Sequence, residues 1–381
     1  MKHAPLSQVS LAVLAAAFAP VFAFAQPGPN DPKVAPSALR SVPAETTVAA
    51  YVDKNWKAPR TSWGHPSLEG VWSTDDLRGV PMNRPEKIGL RETLTQEEFL
   101  ARASTDETGR DFAVNVGTFL RHEFGIRSFG YSSLIVDPPN GQMPKLTPAG
   151  EALAATRVRG TFGPGPFNGF QDFTLYDRCI TRGVLGSLLP VIYGNGLRIA
   201  QNPDSVAISY EMIHDTRIIP LSARAPVDAG VRQYMGIPRG HWEGDTLVVE
   251  TTNFTDRTSI GVNGGGPPNS EQLKLTERFT RVDPEMIEYR VTVNDPGAYT
   301  APFTMRLMIT SRPGYEMYEY SCHEGNGAVA NALSGERVYE QQVAEAKARG
   351  LPIPARAVEH DQIRNGVPEE GARSFNINKG E

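Results

Sequence analysis

The sequence has 381 residues, of which 40% are hydrophobic and 21% are charged, and its formal net charge is −5. This ordinary balance excludes an intrinsically disordered chain, and the lack of a basic excess argues against nucleic acid as a partner. The 36 glycines and 31 prolines together make up about 18% of the 381 residues, compared with a usual share of about 12%. This excess favours turns and loops over a helical bundle.

The N-terminus has the pattern of a secretory signal peptide. A basic start precedes an apolar stretch at residues 11–18, and a small-x-small cleavage site follows at residues 23–25. The apolar stretch is short for a membrane span, and an uncleaved anchor is the alternative. We therefore predict a signal peptide at 1–25, a mature chain from Gln26, and an exported protein, periplasmic or secreted, with no stable membrane insertion.

Export makes the two cysteines informative, because two thiols in an oxidising compartment most often pair. We predict a disulfide between Cys179 and Cys322, which closes a loop of about 140 residues. The alternatives are two buried free thiols, or Cys322 acting with His323 as a metal pair or catalytic thiol. Adjacent residues on a strand point to opposite faces, so this pair is a poor metal signature.

The chain divides into a short lead-in, one large domain and a tail. Residues 26–60 are rich in Pro, Ala and Val and form an irregular lead-in, and residues 61–350 are predicted to form a single β-rich domain. The polar residues 351–381 are predicted to be a loose C-terminal tail. Three helices are predicted: one capped by Thr95, one capped by Thr147, and an amphipathic helix over 336–349.

Alternation of period two recurs from residue 196 to residue 322. Apolar side chains occupy one face and polar side chains the other, with turn residues between the segments. The clearest apolar faces are those of Val206, Ile208 and Tyr210, of Leu273, Leu275 and Phe279, and of Ile287, Tyr289, Val291 and Val293. The pattern predicts a mainly β fold: an antiparallel meander forming a barrel or a strongly curled sheet, with a few peripheral helices.

Several motifs carry resemblances. Gly70-Val71-Trp72 resembles the Gly-x-Trp of lipocalin-like barrels, which implies a barrel with a buried Trp. A longer set of motifs is similar to a large family of exported bacterial β-rich proteins: YEMIHDTRIIP, GHWEGDTLVVETTNF, LTERF and YSCHEGN, which begin at residues 210, 240, 275 and 320. The resemblance implies an exported β-rich domain and carries no reaction with it. The chain departs from that pattern at His241, where Arg is frequent, and at Asn269, where His is frequent.

Three ionisable residues continue apolar strand faces and are the catalytic candidates. His214 continues the apolar face that runs from Val206 to Met212. Glu277 lies between Leu275 and Phe279, and Asp295 follows the apolar face that ends in Val293. An imidazole with two carboxylates can supply acid and base or hold a divalent metal. The structural alternatives are exposure to solvent or a turn cap for His214 and Asp295, and an ion pair of Glu277 with an arginine such as Arg306 or Arg217.

The second group of candidates consists of ligand-binding residues. The loop after the last strand contains His323, Glu324 and Asn326, and Trp242 belongs to the longest motif. Loops on a rigid scaffold often carry function, although Gly and Asn here also fit a simple turn. We also predict that one end of the β domain forms a pocket where His214 and His323 meet Glu277 or Asp295.

Two functions follow as hypotheses. The first is an exported binding protein holding a small apolar or aromatic ligand in a barrel-type pocket. The second is a small-molecule enzyme of hydrolase or lyase type that uses His and carboxylate acid–base or metal-assisted chemistry. The sequence has no nucleophile elbow, P-loop, zincin motif or dinucleotide fingerprint, so cofactor and metal stay unknown. A purely structural role in an envelope assembly is a third alternative.

Overall fold

The computed structural model describes most of the chain between residues 55 and 355. The described ranges are 55–77, 79–99, 101–102, 129–156, 165–191, 194–222, 227–261, 264–311 and 314–355. The predicted signal peptide, nearly all of the lead-in and all but the first residues of the tail lie outside these ranges.

Ten antiparallel strands make one sheet. They are β1 (Gly70–Ser73), β2 (Ile135–Asp137), β3 (Gly196–Asn202), β4 (Ser205–Tyr210), β5 (Thr216–Pro220), β6 (Ile237–Glu243), β7 (Thr246–Thr252), β8 (Lys274–Asp283), β9 (Met286–Asn294) and β10 (Phe303–Thr310). The spatial order is β5-β4-β3-β1-β10-β9-β8-β7-β6, and β2 pairs with β10 on the edge opposite β9. The mainly β prediction is therefore confirmed.

The sheet does not close by hydrogen bonding. The strands β5 and β6 are its two ends, and no backbone ladder joins them in the described part of the chain. Neither the lipocalin-like barrel nor the strongly curled sheet is thus confirmed. The two end strands nevertheless lie close together. A Cβ placed on Gly240 of β6 would lie 2.8 Å from Ile219 Cγ2 and 2.9 Å from Leu221 Cδ2.

Alternation explains why the strands form and which face they bury. In β4 the side chains of Val206, Ile208 and Tyr210 are buried while the intervening ones are half-buried. Facing β4 in the ladder, β5 buries Arg217 and Ile219 and exposes Ile218. Thus one arginine points inward from an end strand, at a position where a charge needs a partner.

Three helices with fully described bounds accompany the sheet: α1 (Pro148–Ala155), α2 (Gly183–Leu188) and α3 (Ala328–Ala348). The predicted cap of α1 is confirmed, because Thr147 Oγ1 accepts a hydrogen bond from Gly150 N at 3.0 Å. Thr95 also caps as predicted, with Glu98 N donating to its hydroxyl over 3.3 Å. The helix expected at 336–349 begins earlier, at Ala328.

One large apolar cluster fills the inward face of the sheet. All six residues of α2 are buried, and Leu185 and Leu188 belong to this cluster. Trp72, buried as the Gly-x-Trp pattern suggests, donates from Nε1 to Leu68 O over 3.0 Å and lies under the Arg281 guanidinium at 5.1 Å. A helix therefore packs into the core, which sequence alternation alone did not predict.

Within the described residues, no helix combines the length and the apolar character that crossing a bilayer requires.

Candidate functional site

Glu277 is buried as predicted, and its partner is Arg217 of β5. Arg217 Nη1 donates to Oε1 over 3.0 Å and Nη2 donates to Oε2 over 2.7 Å, a two-pronged ion pair. Tyr289 donates to Oε1 over 3.1 Å and Thr251 to Oε2 over 3.2 Å. Each carboxylate oxygen thus accepts two hydrogen bonds, an arrangement that anchors the end strand β5 to β7, β8 and β9.

The electrostatics of this cluster favour the ion pair. Burial acts to lower the pKa of Arg217, but the charge of Glu277, the neighbouring Tyr210 and the hydrogen bonds to both together outweigh it and raise the pKa above its usual value. Burial also raises the pKa of Tyr289, with the negative charge of Glu277 acting in the same direction. Arg217 therefore stays charged and Tyr289 stays protonated, so the cluster behaves as a fixed structural unit.

Asp295 is buried just after β9, where it caps a turn. Its Oδ2 accepts from Ser270 N at 2.6 Å, and its Oδ1 accepts from the Ser270 hydroxyl and from Ala298 N. Asp295 thereby ties the loop before β8 to the loop after β9. These contacts match the interpretation of Asp295 as a turn cap, the structural alternative to a catalytic carboxylate.

His214 does not lie on the inward face, and that part of the prediction is wrong. The strand ends at Tyr210, and Ile213 and His214 then take left-handed backbone angles, with φ of 67° and 49°. The two-residue alternation therefore stops before His214, and its side chain is exposed. A positive φ at a β-branched residue such as Ile213 is rare and costs about 1–3 kcal/mol, so the surrounding contacts must hold it in place.

A single hydrogen bond orients the His214 ring. Its Nδ1 lies 3.1 Å from the carbonyl oxygen of Tyr320. Because a carbonyl only accepts, the proton belongs on Nδ1, and in the neutral ring Nε2 carries a free lone pair. Nε2 has no hydrogen-bond partner among the described residues, and the exposed ring makes it available to a ligand.

Residues 315–326, which we call the strap, supply that carbonyl. The strap is fastened to Glu211, which is 3% exposed and accepts from Tyr315 OH at 2.5 Å and from Tyr318 N at 2.8 Å. The sequence analysis missed Glu211, because this residue falls on the polar face of the alternating pattern, which predicted an exposed side chain. The position of the residue inside the motif at 210–220, beside His214, was the available signal.

The predicted disulfide provides the second fastening. Cys179 and Cys322 are bonded, with their Cα atoms 5.6 Å apart. Asn326 adds a third, because its Nδ2 donates to Asp177 O over 2.9 Å and to Cys179 Sγ over 3.3 Å. Asn326 thus holds the strap in place, while His323 and Glu324 are exposed in the turn between these fastenings.

The predicted site residues lie in separate surroundings. His214 contacts the strap at the carbonyl of Tyr320, three residues before His323 in the chain. Glu277 and Asp295 have no contact with either histidine in the described part of the chain. Trp242 packs with His65, the ring centroids being 5.3 Å apart, and it also contacts the core.

Metal binding has no support from this geometry. Across the described residues, no three side chains of His, Cys, Asp or Glu are placed to share an ion. Comparisons add no relative: the chain matches no protein-family model, no curated protein and no solved structure.

Proposed function

We propose that the protein is exported and binds a small ligand at the surface formed by His214 and the strap, which we call the strap face. The observation that carries this proposal is the orientation of His214: one ring nitrogen is held from behind by Tyr320 O, and the other faces solvent. Strained backbone that is held in place by several contacts is typical of functional positions. A ring fixed in this way loses little freedom when a ligand binds.

The chemistry of the strap face favours a small aromatic ligand that donates a hydrogen bond, such as a phenol. Tyr318 is 62% exposed, a large fraction for an aromatic side chain, and its ring lies 6.1 Å from that of Tyr315. Nε2 of His214 accepts a hydrogen bond, and the neighbouring Glu319 and Glu324 disfavour an anion. A neutral aromatic donor suits all of these groups.

The strap face replaces the barrel interior as the proposed binding place. The inward face of the sheet is filled by large buried side chains, among them Trp72, Tyr289 and the Arg217–Glu277 pair. The barrel-like form of the sheet remains a proposal, supported by the packing of Ile219 on Gly240 where the two end strands meet.

Binding of phenol, measured by calorimetry on the mature protein, tests the proposed function. His214→Asn is the informative variant, because Asn tolerates a left-handed φ and is too short to replace the imidazole. We expect this variant to bind phenol about tenfold more weakly, and toluene, which has no hydroxyl, to bind poorly to both proteins. His241→Asn is the matched control on an exposed histidine elsewhere. Equal phenol binding by His214→Asn and the wild type would contradict the proposal.

A second candidate function is acid–base catalysis at the same face, because a neutral Nε2 with its lone pair exposed is also the form of a general base. Hydrolysis of 4-nitrophenyl acetate separates the two. A binding protein should hydrolyse this ester no faster than free imidazole at the same concentration. Repeated turnover that is lost in His214→Asn would favour the enzyme.

A further inference from the structure

The strap is fastened on both sides of its disulfide by hydrogen bonds. On one side, Tyr318 N donates to the carboxylate of Glu211 over 2.8 Å. On the other side, Asn326 Nδ2 donates to Asp177 O over 2.9 Å. Cys322, which carries the strap half of the disulfide, lies between these two fastenings in the chain. Opening the disulfide would therefore leave the strap attached at two points.

The segment between the fastenings contains the carbonyl that orients His214. Tyr320 O lies 3.1 Å from His214 Nδ1, and Tyr320 comes two residues before Cys322. The disulfide is thus the covalent attachment nearest to this carbonyl. Without it, residues 319–325 would gain freedom to move, and the His214 ring would lose the fixed acceptor behind it.

The two halves of the disulfide have different surroundings. Cys179 is 7% exposed, and backbone hydrogen bonds hold it, from Cys179 N to Tyr176 O over 2.9 Å and from Ile180 N to Leu175 O over 2.8 Å. These two bonds, with a φ of 56° at Cys179, form a helix-ending turn in which glycine is usual. Cys322 is half-buried, and both of its chain neighbours are exposed. A thiol in solution therefore reaches Cys322 more readily than Cys179.

A hydrogen bond prepares the sulfur of Cys179 to leave. Asn326 Nδ2 donates to Cys179 Sγ over 3.3 Å. A thiolate accepts such a bond more strongly than a disulfide sulfur does, because hydrogen bonds to charged acceptors are stronger. Stabilisation of the leaving thiolate speeds thiol–disulfide exchange. The contacts therefore favour attack on Cys322, with Cys179 as the leaving group.

We propose that the disulfide is a reversible redox switch for the strap face, an inference that rests on the proposed function. One thiolate of a dithiol forms a bond to Cys322 Sγ, the Cys179–Cys322 bond breaks, and its electron pair goes to Cys179 Sγ. The second thiolate of the dithiol then attacks the first in the mixed disulfide and releases Cys322 as a thiolate. The dithiol is oxidised to a disulfide, and its two protons pass through water to the two cysteines.

The number of cysteines makes the switch reversible. The chain has two cysteines, so oxidation of the reduced protein can form only one intramolecular disulfide. The hydrogen bond of Asn326 to Asp177 O keeps the strap close to Cys179 in the reduced protein. The oxidised form holds His214 for the ligand, and the reduced form binds the ligand more weakly.

Mass spectrometry identifies the sulfur that is attacked. The mature oxidised protein is treated briefly with glutathione without denaturant, quenched with acid, alkylated and digested. We expect glutathione on Cys322 and the alkyl group on Cys179. Glutathione on Cys179, or reaction only when urea is present, would overturn the inference.

Calorimetry with phenol before and after reduction by dithiothreitol tests the effect on binding. The reduced protein should keep its far-UV circular dichroism and bind phenol about tenfold more weakly, and re-oxidation should restore the affinity. The double variant Cys179→Ser with Cys322→Ser is the control, because dithiothreitol should not change its phenol affinity. Unfolding on reduction, or an unchanged affinity of the fully reduced wild type, would overturn the inference.

NMR of the ¹⁵N-labelled imidazoles separates this inference from the proposed function. Absence of phenol binding to the oxidised protein would contradict the proposed function, and the ring signals of His214 would still test the switch. Reduction should change the His214 signals and leave those of the exposed His241 unchanged. His214 signals that stay the same after full reduction would overturn the inference, whether or not phenol binds.

Discussion

Removing two charges from water is costly, and the contacts around Arg217 and Glu277 show how the protein offsets this cost. The two charges meet through two hydrogen bonds, and hydroxyl groups of Thr251 and Tyr289 occupy the remaining acceptor positions on Glu277. Such a pair adds little stability compared with apolar residues, but losing one member leaves an uncompensated buried charge.

Glu277→Gln should therefore lower the free energy of unfolding by about 3–5 kcal/mol, measured by urea denaturation. The double variant Arg217→Met with Glu277→Leu removes both charges and should recover most of that loss. A loss below about 1 kcal/mol would show that Arg217 does not depend on Glu277. If Glu277→Gln folds normally but no longer binds phenol, Glu277 belongs to the functional site instead.

Tyr210 predicts an alkaline dependence of stability. Burial raises the pKa of Tyr210 to about 12, although the neighbouring Arg217 acts to lower it. Between pH 10 and 12 the unfolded chain loses this proton while the folded protein keeps it, so stability falls as pH rises. By linkage the loss over this window is about 2–3 kcal/mol, and below pH 10 the contribution is fully present.

Urea denaturation at pH 9 and pH 11.5 measures this dependence. The loss of stability from pH 9 to pH 11.5 should be smaller in Tyr210→Phe than in the wild type. In the control Tyr318→Phe, whose ring is exposed, this loss should equal that of the wild type. Tyr289 contributes in the same direction, so part of the decrease should remain. An identical decrease in Tyr210→Phe and the wild type would contradict the assignment.

At the scale of elements, the strap depends on its disulfide. The bond joins residues 143 apart in sequence, and loop-closure entropy gives it about 5 kcal/mol of stabilisation. The double variant Cys179→Ser with Cys322→Ser should therefore unfold at a lower urea concentration. It should also bind phenol more weakly under folding conditions, because Tyr320 O no longer orients His214. Unchanged stability and binding in this variant would show that Glu211 and Asn326 fasten the strap alone.

The contact between the two end strands makes a separate prediction. Gly240→Ala places a methyl group within 3 Å of Ile219 and Leu221, so it should destabilise the protein by about 1–3 kcal/mol. Gly335→Ala is the matched control, since the site in α3 has nothing within 4 Å and a helical Ala is stabilising by about 1 kcal/mol. Equal stability changes in the two variants, measured by thermal unfolding, would mean that β5 and β6 do not pack together.

For the molecule as a whole, local patterns predicted the strands well. Alternating side chains identified β4, β8, β9 and β10, because each has one buried face and short turns separate them. Export predicted the Cys179–Cys322 bond, and Arg217 was one of two partners foreseen for Glu277. These features depend on neighbours in sequence or on simple pairing rules, which a single sequence contains.

The features that place the strap face depend on distant contacts, and the sequence predicted them less well. His214 leaves the inward face because the chain turns through left-handed angles at Ile213, which no alternation pattern reveals. Glu211 is buried because a segment about 100 residues later covers it. The packing of α2 into the core is likewise set by the fold, since six apolar and small residues within a loop-rich region have no clear period.

The central claim is that the strap holds His214 with its proton on Nδ1 and presents Nε2 to a ligand. Long-range proton–nitrogen NMR of the ¹⁵N-labelled imidazoles, recorded on the neutral ring and assigned with His214→Asn, tests it most directly. We predict a protonated Nδ1, an unprotonated Nε2, and a shift of the Nε2 signal when phenol is added. A proton on Nε2, or an Nε2 signal that phenol leaves unchanged, would contradict the account.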